Sequence, residues 1–286
     1  MKFDKVVVIG SNKIAVECVK VLFDEYKIEE LFVIENSNNN MSMLEYICSK
    51  KKIDYTFNNN KSDLDVLLRE LSFQKKLLII SANNNYIFNK EIVEKHTVIN
   101  FHYSYLPNYR GVNIPSWVIY NQEQYTGVSW HYVNNKIDDG AIIKQVKFMI
   151  LPDDRAIDIV KKGMNLGVEL FKQFIGEILD GKDLVTVENK AKKILMYSNK
   201  NLPDNGVLNL ENNGRKIYAT LRAYDYDNIN IFPRLFVEWG KKRFLVKCYT
   251  INKIERVNNN QIKLENEKLI IEKDNLKIEI VLEEQL

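Results

Sequence analysis

Apolar positions along this chain follow two rhythms, which change over near residue 200. In the first, short unbroken apolar runs alternate with longer amphipathic stretches. Lys5 to Gly10 reads as a strand buried on both faces, and Ser11 to Tyr26 carries Ile14, Val16, Cys18, Val19, Val21 and Leu22 on one helical side. A strand at Leu31 to Ile34, a helix at Ser42 to Lys51, a segment at Leu64 to Leu71, a strand at Leu77 to Ser81 and a helix at Lys90 to Lys95 follow. Strands separated by helices predict a Rossmann-like, doubly wound α/β fold, a parallel sheet with helices on both faces, because parallel neighbours need a crossover connection. Asp154 to Asp180 reads as one long amphipathic helix with Ile157, Val160, Met164, Leu170, Phe171 and Phe174 on its apolar side, and Gly181 suits its C-cap.

The second rhythm starts near Pro203. A short helix, Gly214 to Ala223, precedes strand-like runs at Phe232 to Trp239, Arg243 to Ile251, Gln261 to Leu264, Lys268 to Ile271 and Leu276 to Leu282. This predicts a small β-rich C-terminal domain, with residues 1–200 forming the first domain and 201–286 the second.

Composition narrows the classes. In a chain of 286 residues, 45% hydrophobic content supplies a sizeable core. The 41 basic and 38 acidic side chains nearly cancel, which removes a strong electrostatic drive toward nucleic acid. Cys18, Cys48 and Cys248 lie far apart without metal-ligand spacing, as free thiols in a reducing cytoplasm would, and no metal is expected. The chain opens directly on a strand with no signal peptide, and no apolar run reaches membrane-span length, so a cytoplasmic protein without membrane contact is expected.

Candidate chemistry concentrates between Val98 and Ile143. Asn100 and His102 flank Phe101, so in a strand both polar side chains share one face. Downstream of a strand at Gly127 to Val133, an acid–acid–glycine turn, Asp138-Asp139-Gly140, leads into the apolar run Ala141 to Phe148. Spacing alone leaves Asp138 and Asp139 as alternatives. An amide, an imidazole and a carboxylate suit acyl transfer: a donor for a developing oxyanion, a group that exchanges protons near neutrality, and an orienting charge. His131 reads as a structural or supporting residue and His96 as a surface residue. The Asn-rich spots at Asn38, Asn58, Asn83 and Asn258 read as loop punctuation. The turn Gly10-Ser11-Asn12-Lys13 lacks G-x-G-x-x-G spacing, which argues against a nicotinamide site, yet a helix N-terminus beside Lys13 suits an anion. An ordinary strand-to-helix turn is the alternative.

Four ordered blocks, Asn100-Phe101-His102, Ser104-Tyr105-Leu106-Pro107-Asn108-Tyr109-Arg110-Gly111, Thr126-Gly127-Val128-Ser129-Trp130-His131-Tyr132-Val133 and Ile137-Asp138-Asp139-Gly140, resemble the Asn-x-His, SLLPxYRG, TGVTxHxV and Asp-x-Gly signatures of the folate-dependent formyltransferases. Tyr103 and Tyr105 depart from that pattern. The resemblance implies Asn100, His102 and Asp138 as the catalytic trio, 10-formyltetrahydrofolate as formyl donor, and a folate site bordered by Asn84, Tyr86, Ile87 and Lys136. The later stretch Asp204 to Leu208 with Arg215 to Asp225 looks like that following the catalytic domain in sugar N-formyltransferases and methionyl-tRNA formyltransferases, so the resemblance covers most of residues 1–245. Glycinamide ribonucleotide formyltransferases usually lack such a second domain.

A tRNA-binding member typically carries a basic insertion where this chain reads Glu35-Asn36-Ser37-Asn38-Asn39-Asn40-Met41. The expected acceptor is therefore a nucleotide-linked amino sugar, a dTDP-linked 3-amino or 4-amino dideoxyhexose of bacterial polysaccharide synthesis, with Ser11, Asn12, Lys13, Tyr105, Arg110, Trp117 and Tyr224 as candidate substrate contacts. The expected assembly is a homodimer. The alternatives are a methionyl-tRNA formyltransferase, a folate-dependent hydrolase, and a binding protein that keeps the fold without turnover.

Overall fold

Val6 to Ile9 have no exposed surface, as expected of the central strand of a sheet covered on both faces. The computed structural model of this chain describes residues 2–36, 42–191, 194–227, 229–254 and 260–285. Ser37 to Met41 and Asn258, part of the expectations above, lie outside the described residues.

The elements follow in the order β1 (Lys5–Gly10), α1 (Asn12–Lys20), β2 (Leu31–Glu35), α2 (Met43–Lys51), β3 (Asp54–Phe57), α3 (Lys61–Leu71), β4 (Leu77–Ala82), α4 (Lys90–Lys95), β5 (Thr97–His102), β6 (Arg110–Gly111), α5 (Ile114–Tyr120), β7 (Tyr125–Tyr132), β8 (Ile142–Met149), α6 (Ala156–Leu179) and β9 (Met196–Tyr197). Seven strands form one sheet in the order β3-β2-β1-β4-β5-β7-β8. The strand order reverses at β1 and β4, the kind of switch point whose carboxyl edge opens a crevice. Val7, Ile9, Ile34, Leu77 and Ile79 meet Leu64 and Leu68 of α3 and Ile92 of α4 in one continuous core.

Two expectations need correction. The sheet is mixed: β1 through β5 pair in parallel, but β7 runs antiparallel to β5. The edge strand β3 went unread in the sequence because it is short, with exposed ends and a half-buried middle, and forms no apolar run. The helix predicted over Ser11 to Tyr26 divides into α1 and a wider π-helical turn, Val21–Glu25.

The remaining elements are α7 (Gly214–Ala223), β10 (Phe236–Trp239), β11 (Lys242–Lys253), β12 (Gln261–Glu265), β13 (Lys268–Lys273) and β14 (Leu276–Gln285). The last five form an antiparallel sheet in the order β10-β11-β14-β13-β12. Strand alternation puts Ile278, Ile280 and Leu282 on one face, where they bury with Leu269, Ile271, Val237 and Phe244 against Ile217 and Leu221 of α7. Two compact units result. One comprises Met1–Gly111, Gly127–Lys147 and Lys162–Met196; the other comprises Val112–Thr126, Phe148–Lys161 and Tyr197–Leu286. No helix among the described residues is long and apolar enough to cross a membrane.

Candidate active site

Strand register assembles this site. In β5, Asn100 lies beside Ser81 of β4 and opposite His131 of β7, while His102 lies opposite Ser129. Period-two alternation turns Phe101 to the other side of the sheet, where it packs on Trp130 and occupies the space a Cβ at Gly167 would need. The polar face thus presents Asn100, His102 and His131 together.

The acid–acid–glycine turn delivers the carboxylate. Asp138 has a left-handed backbone, φ 47°, and Gly140 passes so close to β7 that a Cβ there would sit 1.7 Å from the Tyr132 carbonyl oxygen. Asp138 Oδ2 accepts the Gly111 N–H at 2.8 Å and faces His102 Nδ1 at 3.5 Å, and its Oδ1 lies 3.5 Å from His131 Nε2. Asp139 points elsewhere and pairs with Arg110. The two carboxylates that spacing left as alternatives therefore occupy different surroundings.

His102 is 6% exposed, and its Nε2 donates to the Tyr109 carbonyl at 2.8 Å. With that proton placed, Nδ1 is the ring position that faces the acid. Burial alone pushes the Asp138 carboxyl up, but the charge of His102 and the Gly111 N–H outweigh it and hold the carboxyl well below the usual carboxylate range. Asp138 is thus an anion at neutral pH, and its charge 3.5 Å from Nδ1 favours a proton on that side of the His102 ring while Nε2 keeps the Tyr109 carbonyl.

Among the other predicted residues, Asn84 is turned inward. Its Oδ1 accepts from Asn36 Nδ2 and from the Tyr86 N–H at 2.8 Å, and its Nδ2 donates to Ser81 Oγ at 3.1 Å. Tyr86 is buried with its hydroxyl on Asp65, Ile87 is exposed, and Lys136 is exposed with its N–H on Asn134 Oδ1. Ser11 is buried, its hydroxyl donating to the Asn83 carbonyl and accepting from Asn83 Nδ2; Asn12 is exposed with φ 60°. Lys13 is exposed and donates to Asn165 Oδ1 at 2.7 Å, and Tyr105 is exposed.

Three substrate candidates have partners within the protein. Arg110 is 3% exposed and ties Asp139 to the carbonyl and side-chain oxygens of Asn189. In the other unit, Trp117 stacks on Tyr197 at 4.0 Å, and Tyr224 donates its hydroxyl to the Pro203 carbonyl at 2.6 Å. His96 also departs from its expected surface position: it is half-buried, its Nδ1 accepts the Leu77 N–H, and burial lowers its pKa.

Sequence reasoning passed over two contributors and undervalued a third. Asn189 donates to the carbonyls of Asp138 and Gly140, both at 2.9 Å, from a stretch with no apolar pattern or motif to mark it. Ser81 sits at the carboxyl end of an otherwise apolar strand. His131 is 2% exposed and joins the cluster directly; its place within a motif was the available signal. Among the described residues, no group of three or more His, Cys, Asp or Glu side chains is arranged to hold a metal ion.

Comparison with known proteins bears on this arrangement. Residues 5–175 match the family described as formyl transferase. A methionyl-tRNA formyltransferase of Clostridioides difficile is 26% identical over 82% of this chain and 77% of its own length. Another, from Thermodesulfovibrio yellowstonii, is 33% identical over 48% of this chain, and the match spans only 44% of that relative. Among solved structures, an N-formyltransferase from Helicobacter canadensis in complex with folinic acid and dTDP-3-aminofucose aligns with a TM-score of 0.77 over 98% of this chain and 99% of its own, at 24% identity. A 4-N formyltransferase from Francisella tularensis aligns with a TM-score of 0.65 over 82% and 91%, at 18% identity. These structural likenesses establish a shared fold. With the family's pattern running from β1 into α6, through the strands and turn that carry Asn100, His102 and Asp138, the chain belongs to the formyl transferase family.

Proposed function

We propose that the protein transfers a formyl group from 10-formyltetrahydrofolate to the amino group of a nucleotide-linked sugar, a dTDP-linked 3-amino or 4-amino dideoxyhexose, in bacterial polysaccharide synthesis. The observation that carries the transfer reading is the convergence of Asn100, His102 and Asp138 on one sheet edge. The substrate amine attacks the formyl carbon, the new C–N bond forms, the bond from that carbon to N10 of the folate breaks, and the proton shed by the amine is returned to N10. Asn100 supplies an amide N–H where negative charge develops on the formyl oxygen. His102 takes the proton at Nδ1, where the imidazolium lies against Asp138 while Nε2–H stays on the Tyr109 carbonyl. The folate enters beside Asn84, Tyr86, Ile87 and Lys136. Lys13 and Tyr105 meet the acceptor, and the working assembly is a cytoplasmic homodimer.

Near-complete mutual coverage with the Helicobacter canadensis enzyme supports a sugar acceptor. The matches to methionyl-tRNA formyltransferases support a second reading, with charged initiator tRNA as acceptor. A panel assay decides between them. The protein is incubated with 10-formyltetrahydrofolate and, separately, thymidine- or uridine-diphosphate amino sugars and methionyl-tRNA, and the mass gain of one formyl group is read. A thymidine-diphosphate amino sugar is the expected acceptor; robust formylation of the tRNA alone would replace this reading with the second.

A further inference from the structure

Across three adjacent strands the side chains of Ser81, Asn100 and His131 stand in one row, set by the pairings Ser81↔Asn100 and Asn100↔His131. A continuous line of hydrogen bonds runs along this row. Asn84 Nδ2 donates to Ser81 Oγ at 3.1 Å, Ser81 Oγ donates to Asn100 Oδ1 at 2.7 Å, Asn100 Nδ2 donates to His131 Nε2 at 3.1 Å, and His131 Nδ1 donates to the Tyr132 carbonyl at 2.7 Å.

The direction of this line is fixed at both ends by main-chain groups of one polarity. The Tyr86 N–H can only donate, and it sits 2.8 Å from Asn84 Oδ1, so Asn84 must present its NH2 to Ser81. Ser81 accepts that bond, so its single proton goes to Asn100. At the other end, the Tyr132 carbonyl can only accept, so the proton of the neutral His131 ring sits on Nδ1 and Nε2 is left as an acceptor. Both constraints give Asn100 the same orientation: Oδ1 toward Ser81, Nδ2 toward His131. Asp138 Oδ1 lies 3.5 Å from the same Nε2, beyond good hydrogen-bond reach. One N–H of Asn100 is spent on His131, and the second remains for a ligand oxygen.

We propose that Ser81, Asn84 and His131 are positioning residues that lock the Asn100 amide with its nitrogen at the catalytic edge, and so act on formyl transfer through Asn100. The proposal rests on the reading of Asn100 as the oxyanion donor. An amide without this lock can turn its oxygen toward the developing negative charge, which replaces a donor by an acceptor at the place where charge appears.

The test has two parts. Nitrogen-15 NMR of the unaltered protein reads the His131 tautomer without reference to any substrate; the expected result is a proton on Nδ1 and a bare Nε2, and a neutral ring protonated on Nε2 would overturn the proposal. Steady-state kinetics then compare Ser81→Ala, Ser81→Thr and Asn100→Ala, using 10-formyltetrahydrofolate and whichever acceptor the panel assay identifies. Ser81→Ala is expected to lower kcat about tenfold or more, short of the 10²–10³-fold cost of deleting such a donor outright, with the folate KM little changed. Ser81→Thr, which keeps the hydroxyl, recovers most of the loss. Full turnover in Ser81→Ala beside a crippled Asn100→Ala sinks the positioning role alone. Full turnover in Asn100→Ala removes the oxyanion reading and this proposal with it.

Discussion

Oδ2 of Asp138 faces Nδ1 of His102 across 3.5 Å while accepting the Gly111 N–H at 2.8 Å. The carboxylate is therefore held by main chain on one side and offered to the imidazole on the other. A group fixed in this way orients the ring and stabilises its cation without giving up its own charge.

The first prediction removes that charge. Asp138→Asn keeps an oxygen for the Gly111 N–H but cannot balance an imidazolium, so kcat is expected to fall by about two orders of magnitude or more, as loss of acid–base assistance commonly does. Turnover is measured at saturating substrates, with circular dichroism to confirm the fold. Near-wild-type turnover would show that Asp138 plays no part in the chemistry.

The second prediction concerns pH. The folded-state carboxyl of Asp138 is depressed, so its contribution to stability is present above the unfolded-state value of about 3.9 and is lost as pH falls below that value toward the folded one. Wild type should exceed Asp138→Asn in urea midpoint near neutrality, and the two midpoints should converge as pH falls below about 4. A gap that stayed constant through the acid range would contradict the depressed carboxyl.

Arg110 is the third case. Its guanidinium is buried, and removing it leaves Asp139 and the Asn189 oxygens without their cation. Arg110→Ala is expected to lower unfolding free energy by about 3 kcal/mol, the low end for breaking a buried pair because Asp139 keeps some contact with water. Denaturant titration measures it. Unchanged stability together with a selective loss of nucleotide-sugar affinity would instead place Arg110 at the ligand.

The fourth prediction targets the turn. A Cβ at Gly140 meets the Tyr132 carbonyl at 1.7 Å, which only backbone movement relieves. Gly140→Ala should shift Asp138 and reduce both thermal stability and kcat, the latter by up to about 10²-fold if the carboxylate moves by about 1 Å. An alanine variant as stable and as fast as wild type would mean that the turn tolerates an alternative path.

Much of the molecule was legible in the chain itself. Apolar runs such as Lys5 to Gly10 and Leu77 to Ser81 report burial on both faces, so the central strands of the sheet could be read locally while the edge strand β3 could not, and Gly214 to Ala223 was read at its observed length. Period-two alternation was enough to put Asn100 and His102 on one face. Tertiary structure alone decided what depends on partners distant in sequence. The antiparallel pairing of β7 with β5 sets His131 against Asn100, a relationship between residues 31 positions apart that no local pattern encodes. The fold of the Arg110 loop onto the acidic turn sends Asp139 to the guanidinium and leaves Asp138 to the histidines. It also buries Arg110, which the sequence suggested as a substrate contact. Hydrophobic periodicity records how deeply a residue is buried. Which polar group it meets there is set by strand register and loop closure, and these were fixed only when the whole chain folded.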